Sequence, residues 1–133
     1  MDREDSLRQS LERVARFCEE RDWDQFHSPK ELAIGAITES SELLEIFRFK
    51  TEKEMVRMLE DPVEREKIGH ELADILFFLL RFSQRFGFDL LAELDAKMKR
   101  NELRYPVETA RGSNQKAPPL APPTEGRQND ATL

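Results

Sequence analysis

The sequence predicts an all-α protein whose helices pack as a four-helix-bundle-like domain. Apolar residues recur at three- and four-residue spacing along most of the chain, which is the period of one helix face. Only 5 glycines occur, and β-branched residues are sparse through the middle, which disfavours a sheet. With 133 residues, of which 38% are hydrophobic, the core is small, and we expect oligomerisation to complete it.

Two helices are predicted in the first part of the chain. Residues 5–20 carry their apolar side chains at helical spacing. Ser28 followed by Pro29 is a typical pair of N-cap and first helical residue, and Glu31 completes the spacing of a capping box. A second helix is therefore expected over residues 29–49.

Three further helices are predicted before the chain changes character. Asp61 followed by Pro62 repeats the N-cap pattern, and Gly87 is a typical residue just beyond a helix C-terminus. We expect Asp89 to cap the last helix. The predicted helices cover residues 52–59, 62–86 and 89–104.

The composition changes at Arg111. Four of the seven prolines follow it, together with Gly, Ser, Asn and Gln and very few large apolar residues. Such a segment cannot bury enough surface to order itself. We therefore divide the chain into an all-α domain at residues 1–110 and a flexible, proline-rich tail at residues 111–133.

Two acidic pairs are the most informative feature of the helices. Glu39 and Glu42 lie at i and i+3 in the second helix, and Glu71 and Asp74 repeat this spacing in the long helix. In an acidic chain such pairs also arise by chance as solvated faces. Glu39 and Glu71, however, fall on apolar faces, where a charge is costly unless it is paired or binds a metal. The sequence therefore predicts a cation site shared by two helices of a bundle.

The ligand type indicates which cation would bind. Carboxylates without sulfur or imidazole suit Mg²⁺, with Mn²⁺ as the alternative, rather than Zn²⁺ or copper. A di-iron bundle would carry Glu-x-x-His motifs, which the sequence lacks. His70-Glu71-x-x-Asp74 lacks the second histidine of a zinc-protease motif, so we interpret His70 as an ordinary helix-face residue.

Charge and composition disfavour several other classes. A net charge of −6 and a pI of about 5.1 lack the basic footprint of proteins that bind nucleic-acid polymers. Cys18 is the only cysteine, so an intramolecular disulfide or a Cys-rich zinc site is excluded. The longest apolar run, residues 75–80, is too short to span a bilayer, and no signal stretch is visible. We expect a cytoplasmic protein with no membrane partner.

Aromatic and polar residues offer a second set of candidates. Trp23 and Phe49 either pack in the core or stack on a nucleobase. His27, close to Trp23, is interpreted as a packing residue of the loop. A stripe at i, i+4 and i+7 of the last helix is either a solvated face or a phosphate contact. Its members are Lys97, Asn101 and Arg104.

Taken in chain order, these residues resemble a known family. Glu39-x-x-Glu42, Glu71-x-x-Asp74 and Lys97-x-x-x-Asn101 are similar to motifs of the MazG-like all-α nucleoside triphosphate pyrophosphohydrolases, and the resemblance covers about residues 10–113. It is greater to the dCTP pyrophosphatase branch. The stretches that carry it are Phe17-x-x-Glu20-Arg21-Asp22-Trp23-x-Gln25-Phe26-His27, Glu42-Leu43-x-Glu45-Ile46-Phe47 and Lys97-Met98-x-x-Asn101-x-x-Arg104-Tyr105-Pro106-Val107.

The resemblance implies an enzyme with a MazG-type fold, assembled as a homodimer or homotetramer. Such an enzyme cleaves a nucleoside triphosphate, here dCTP or a related pyrimidine deoxynucleotide, to the monophosphate and pyrophosphate, and so cleanses the nucleotide pool. The four carboxylates would hold Mg²⁺, and one would also orient or deprotonate the attacking water. Trp23 would stack on the base, Lys97 and Asn101 would contact the nucleotide, and Arg104 and Tyr105 would assist.

Three positions depart from the branch pattern. Phe49 stands where a second base-pocket tryptophan is expected, Phe78 where a tyrosine is expected, and Val14 where a histidine is expected. Phe78 cannot donate a hydrogen bond, whereas Phe49 can still stack, and both are retained as substrate-binding candidates. The preferred base stays open. The alternatives are a non-catalytic helical module that binds nucleotide or a partner, and a related phosphohydrolase acting on dUTP.

Overall fold

Helices account for the regular secondary structure of the described chain. The structure is a computed structural model that describes residues 3–122, and no β-strand occurs in that range. The all-α prediction is confirmed. In chain order the helices are α1 (Arg3–Glu20), α2 (Pro29–Phe47), α3 (Glu52–Glu60), α4 (Pro62–Phe86), α5 (Leu90–Arg104) and α6 (Val107–Ala110), with a short 3₁₀ turn (Asp24–Phe26) between α1 and α2.

The starts of α2 and α4 follow the predicted caps. The Ser28 hydroxyl accepts a hydrogen bond from the backbone N–H of Glu31 at 3.2 Å. The Asp61 carboxylate accepts one from the backbone N–H of Val63 at 2.9 Å. These bonds satisfy amide groups that lack an intrahelical acceptor in the first turn. Gly87 ends α4 with φ of 77°, a left-handed conformation that glycine adopts without steric cost.

The second helix ends earlier than predicted. It stops at Phe47 rather than near residue 49, because Arg48 leaves the helical region with a ψ of 133° and Phe49 follows with a φ of 64°, in the left-handed region that bulky residues rarely occupy. The backbone N–H of Lys50 donates to the Phe47 carbonyl at 3.1 Å and closes a turn. Thr51 then caps α3 with a complete capping box. The end of α2 is therefore set by the turn into α3.

The first of two compact units ends at Leu90 and is built around α4. Helix α2 has the most extensive contact with α4, and α1 and α3 also pack on α4. The buried apolar side chains of this unit are Cys18, Leu32, Ile68 and Leu80. The core of the unit thus lies along α4, the helix that carries the second acidic pair.

Many large apolar side chains of this unit remain exposed. On α2 and α4 they include Ile34, Ile37, Leu44, Leu72, Leu76 and Leu79. Extended apolar surface of this kind is typical of a face that another chain covers. Oligomerisation stays a prediction.

Among residues 3–122, no helix combines the length and hydrophobicity that crossing a membrane requires.

The second compact unit begins at Leu91 and holds most of α5, α6 and the residues that follow. In the described part of the predicted tail, the backbone returns to α5. The Arg104 guanidinium donates hydrogen bonds to the carbonyls of Ala117 and Pro118, and the Tyr105 hydroxyl accepts one from the Ala117 N–H at 3.2 Å. The predicted division at residue 110 stays a prediction, and residues 123–133 of the tail lie outside the described residues.

Candidate active site

Helices α2 and α4 bring three of the four predicted carboxylates together. One carboxylate oxygen from each of Glu39, Glu42 and Glu71 lies within 4.8 Å of the others. Glu39 and Glu42 share one face of α2, because residues three apart are neighbours on a helix, and Glu71 faces them from α4. We call these three residues the carboxylate cluster.

Two oxygens of the carboxylate cluster are buried without a hydrogen-bond partner among the described residues. They are Oε2 of Glu39 and Oε2 of Glu71, whereas Glu42 is exposed. A buried acceptor that receives no hydrogen bond is costly, and an ionised one more so. A divalent cation compensates such oxygens, and oxygen donors are those that Mg²⁺, Mn²⁺ and Ca²⁺ prefer. The residues present therefore fit a metal ion.

The pKa values of Glu39 and Glu71 also show that their ionised forms are unfavourable in this arrangement. Burial, followed by the hydrogen bond and charge of Glu42, raises the pKa of Glu39 to about 7. Burial and the charge of Glu42 also raise the pKa of Glu71. The charge of Asp74 contributes in the same direction to both groups. Without a cation, this arrangement favours holding a proton near neutral pH.

Asp74 lies at the edge of this arrangement. It is exposed and one helical turn beyond Glu71 on α4. Its oxygens are outside the group of three, although its charge acts on Glu39 and Glu71. Asp74 therefore adds negative potential at the rim of the carboxylate cluster.

A row of aromatic rings runs from Trp23 to the helix pair that holds the cluster. Trp23 and Phe17 are in edge-to-face contact with centroids 5.4 Å apart, Phe17 and Phe77 are 6.0 Å apart, and Phe77 and Phe78 are 5.3 Å apart. A Cβ placed on Gly35 of α2 would lie 2.2 Å from Phe78 Cε1. Only glycine at this position lets the Phe78 ring lie against α2.

The contact between Phe78 and Gly35 lies one helical turn from an acidic residue on each helix. On α4, Phe78 follows Asp74 by one turn, and on α2, Gly35 precedes Glu39 by one turn. Phe78 is half-buried, whereas Trp23 is 37% exposed. Phe49 is 89% exposed, and its ring lies 4.6 Å from the Arg48 guanidinium carbon. The rings of Trp23 and Phe49 are thus accessible for stacking.

The four remaining predicted site residues belong to the second compact unit. Lys97 is exposed, whereas Asn101, Arg104 and Tyr105 are half-buried. A recess of about 110 Å³ opens beside this stripe, between α5 and the returning backbone. Its lining residues are Lys97, Arg100, Asn101, Arg104, Pro119 and Leu120. The residues of this stripe on α5 therefore line a recess, and Arg104 also binds the segment that follows α6.

The contacts of Arg81 were not predicted from the sequence. This side chain is 1% exposed, forms an ion pair with Asp24 and donates a hydrogen bond from Nε to Nδ1 of His27 at 2.9 Å. His27 is a packing residue of the loop, as interpreted. The available signal was a single cation within the apolar run of α4, from Ile75 to Phe82.

An all-α bundle in which two facing helices carry a partly buried carboxylate cluster resembles the helical proteins that hold metal ions between their helices. The sequence profile of the MazG-like family matches residues 34–120, a span that contains both acidic pairs and the α5 stripe. The chain belongs to the MazG-like family, which confirms the resemblance seen in the sequence.

Curated relatives and a solved structure agree with this assignment. The chain is 39% identical to dCTP pyrophosphatase 1 of Rattus norvegicus over 99 residues, 74% of this chain and 58% of that protein. It is 39% identical to the Homo sapiens protein of the same name over 102 residues, 77% of this chain and 60% of that one. The chain thus spans about three fifths of these relatives' length.

The solved structure is that of a pyrophosphatase from Archaeoglobus fulgidus. It superposes with a TM-score of 0.71 at 30% sequence identity, covering 76% of this chain and 93% of that one. The prediction of a MazG-type, all-α fold is confirmed.

Proposed function

We propose that this protein is a Mg²⁺-dependent nucleoside triphosphate pyrophosphohydrolase. It cleaves the bond between the α and β phosphates to give the monophosphate and pyrophosphate, and dCTP or a related pyrimidine deoxynucleotide is its preferred substrate. The observation that carries the proposal is the carboxylate cluster, with its two buried, unpartnered oxygens on Glu39 and Glu71. The names of the relatives support the choice of reaction.

The four acidic residues are assigned to the metal. Glu39, Glu42 and Glu71 supply the inner carboxylates, and Asp74 supplies a fourth at the rim. When bound, Mg²⁺ neutralises phosphate charge and lowers the pKa of the attacking water. The ligand oxygens belong to two packed helices, and two of them are buried, so their positions are fixed. Little reorganisation therefore accompanies substrate binding.

Glu42 is assigned to the attacking water, because it is the exposed member of the carboxylate cluster, whereas Glu39 and Glu71 are half-buried. Its carboxylate orients the water and accepts a proton as the water oxygen forms a bond to phosphorus. The bond between phosphorus and the α–β bridging oxygen breaks, and pyrophosphate leaves. The proton then passes from Glu42 to solvent.

The aromatic and polar candidates are assigned to the nucleotide. Trp23 and Phe49 stack on or enclose the base, since both rings are accessible. Phe78 has no hydrogen-bonding atom, so its contribution to base selection is the shape of its ring. The polar stripe of α5 contacts the phosphates and sugar through Lys97 and Asn101, assisted by Arg104 and Tyr105.

The biological setting follows from the reaction. Hydrolysis of a deoxynucleoside triphosphate removes it from the cytoplasmic pool and needs neither a nucleic-acid polymer nor a membrane as partner. We propose a homodimer or homotetramer, supported by the apolar side chains that α2 and α4 leave exposed.

A panel of (d)NTPs with Mg²⁺ and pyrophosphate detection tests this function. Glu39→Gln and Glu71→Gln keep the side-chain shape but remove a ligand charge, and each is expected to lower kcat by at least about 100-fold. Glu45→Gln is the matched control on α2, since Glu45 is exposed and pairs with Arg48 outside the cluster. Nucleotide binding by wild-type protein without pyrophosphate release would instead identify a non-catalytic module.

A further inference from the structure

Arg81 is the largest fully buried side chain of the described residues, although it carries a charge. A guanidinium remains charged at all physiological pH values, so its burial must be compensated by acceptors arranged around it. None of the assignments in the carboxylate cluster uses this residue. Its partners therefore indicate what the buried charge does.

The guanidinium of Arg81 is bonded on three sides. Nε donates to Nδ1 of His27 at 2.9 Å, and one terminal nitrogen donates to Oε1 of Gln84 at 2.6 Å. The other terminal nitrogen forms an ion pair with the Asp24 carboxylate. Gln84 is on the same helix, but Asp24 and His27 belong to the loop between α1 and α2. Arg81 therefore fastens that loop to α4.

His27 takes part as a neutral acceptor. Its Nδ1 accepts from Arg81, so the ring proton is on Nε2. Burial, followed by the positive charge of Arg81, lowers the pKa of His27 and favours this neutral form. Asp24 is also held by Arg85, which donates to the Asp24 carbonyl at 3.3 Å.

Both loop residues that Arg81 holds are direct neighbours of Trp23. Asp24 is the next residue in the chain, and the His27 ring is in edge-to-face contact with Trp23 at 6.1 Å. The other side of the loop is fixed to α1, because the Trp23 N–H donates to the Cys18 carbonyl at 3.0 Å. The tryptophan is thus held between α1 and α4.

We propose that Arg81 is a positioning residue that fixes the Trp23 ring for nucleobase stacking by holding Asp24 and His27 against α4. Preorganisation of this kind improves binding because the loop is not ordered at the moment of association. The proposal rests on the function proposed above for its base-stacking part. The structural part, that Arg81 restrains Trp23, stands on the contacts alone.

The first test needs no substrate, because Trp23 is the only tryptophan of the chain. Acrylamide quenching of its fluorescence is compared in wild type, Arg81→Lys and Arg65→Lys. Lysine keeps the charge but cannot present three donors in a planar fork. Arg65 is the matched control on α4, and its guanidinium donates to the Leu59 carbonyl at 3.2 Å, away from the loop. The Trp23 ring is 37% exposed in the wild type. Arg81→Lys is expected to raise its quenching constant about twofold, because a less restrained loop exposes the ring more often.

The second test is a KM-against-kcat comparison with the same three proteins. Arg81→Lys is expected to raise KM for the triphosphate about fivefold to tenfold, the range expected from partial loss of one base-stacking contact. kcat is expected to stay within about twofold, because uniform binding is lost while the carboxylates that serve the phosphates are untouched.

The outcomes separate the two proposals. Quenching and KM of Arg81→Lys equal to those of Arg65→Lys would overturn the positioning role. If Arg81→Lys fails to fold by circular dichroism, Asp24→Ala, which removes the acceptor of the Arg81 guanidinium, takes its place, and unchanged quenching in that variant overturns the proposal in the same way. A wild-type protein without turnover would overturn the enzymatic function, and the quenching comparison would still decide whether Arg81 restrains the loop.

Discussion

Glu39 on α2 and Glu71 on α4 each bury an Oε2 atom that receives no hydrogen bond from the described residues. The two helices pack closely because Gly35 accommodates the Phe78 ring, and this packing brings the carboxylates within 4.8 Å of one another and of Glu42. A helix pair that buries like charges in this way is less stable alone than with a cation between them.

The pH dependence of stability tests this conflict. The pKa of Glu39 is about 7 in the folded protein, above the ordinary glutamate value of 4.5, so the folded state binds more protons than the unfolded state between these values. The stabilisation due to the neutral carboxyl is complete below about pH 4.5 and is lost as the pH rises through about 7. In metal-free protein, we expect the Tm advantage of wild type over Glu39→Gln to shrink across this range.

Comparison with Glu39→Gln at each pH is needed because His27 titrates in the opposite sense. Its folded-state pKa is lowered, so it contributes stability above its ordinary range that is lost as the pH falls. Differential scanning calorimetry of both proteins in EDTA isolates the Glu39 contribution. A Tm difference that stays constant from about pH 4 to about pH 8, which lie roughly one unit or less outside this window, would contradict the assigned burial of Glu39.

Substitution of Gly35 tests the close packing of Phe78. Gly35→Ala would place a methyl group 2.2 Å from Phe78 Cε1, so the ring must shift. We expect a loss of about 1–3 kcal/mol in the free energy of unfolding, as for other overpacked positions. In a Phe78→Leu background the same substitution is expected to cost less, which a urea-denaturation double-mutant cycle measures. Equal costs in both backgrounds would show that the two residues do not compete for space.

Phe49 combines backbone strain with a predicted binding role. Its φ is 64° and its side chain is 89% exposed, so little packing is lost on its removal. Phe49→Gly is expected to stabilise the protein by about 0.5–1 kcal/mol through relief of the left-handed conformation. The same change is expected to raise KM for the nucleotide if the ring stacks on the base. Chemical denaturation and steady-state kinetics on one preparation measure both, and a more stable variant with unchanged KM would remove Phe49 from the binding site.

The segment after α6 gives a prediction that is independent of activity. The Ala117 N–H donates to the Tyr105 hydroxyl, so Tyr105→Phe removes its acceptor. We expect faster hydrogen exchange at the Ala117 amide in the variant, with unchanged exchange in α2 and α4. Exchange at Ala117 that is equally fast in wild type would show that this contact does not persist in solution.

Local signals were sufficient for most of the fold. An Asp-Pro or Ser-Pro pair indicates a helix start, because the first side chain caps the helix and proline fixes φ at a helical value. The N-caps Ser28 and Asp61 can therefore be predicted without tertiary information. The end of α2 was misplaced because the φ of Phe49 depends on the turn into α3, and no local residue type demands a left-handed conformation there.

The acidic pairs were found because helical periodicity places Glu39 and Glu71 on apolar faces. The contacts that join distant segments were not. Arg81 and His27 are 54 positions apart, and Arg104 binds backbone carbonyls 13 and 14 positions later, which carry no sequence signature. Such pairings depend on tertiary packing, for which a single sequence offers only the hint of a lone cation in an apolar run.

The identity of the products decides whether this protein is a pyrophosphohydrolase. Wild-type protein is incubated with dCTP and Mg²⁺, and the products are separated and quantified, with Glu71→Gln and Glu45→Gln in parallel. Wild type and Glu45→Gln are each expected to form dCMP and pyrophosphate in equal amounts, and Glu71→Gln almost none. Formation of dCDP and phosphate, or equal product from wild type and Glu71→Gln, would contradict this expectation.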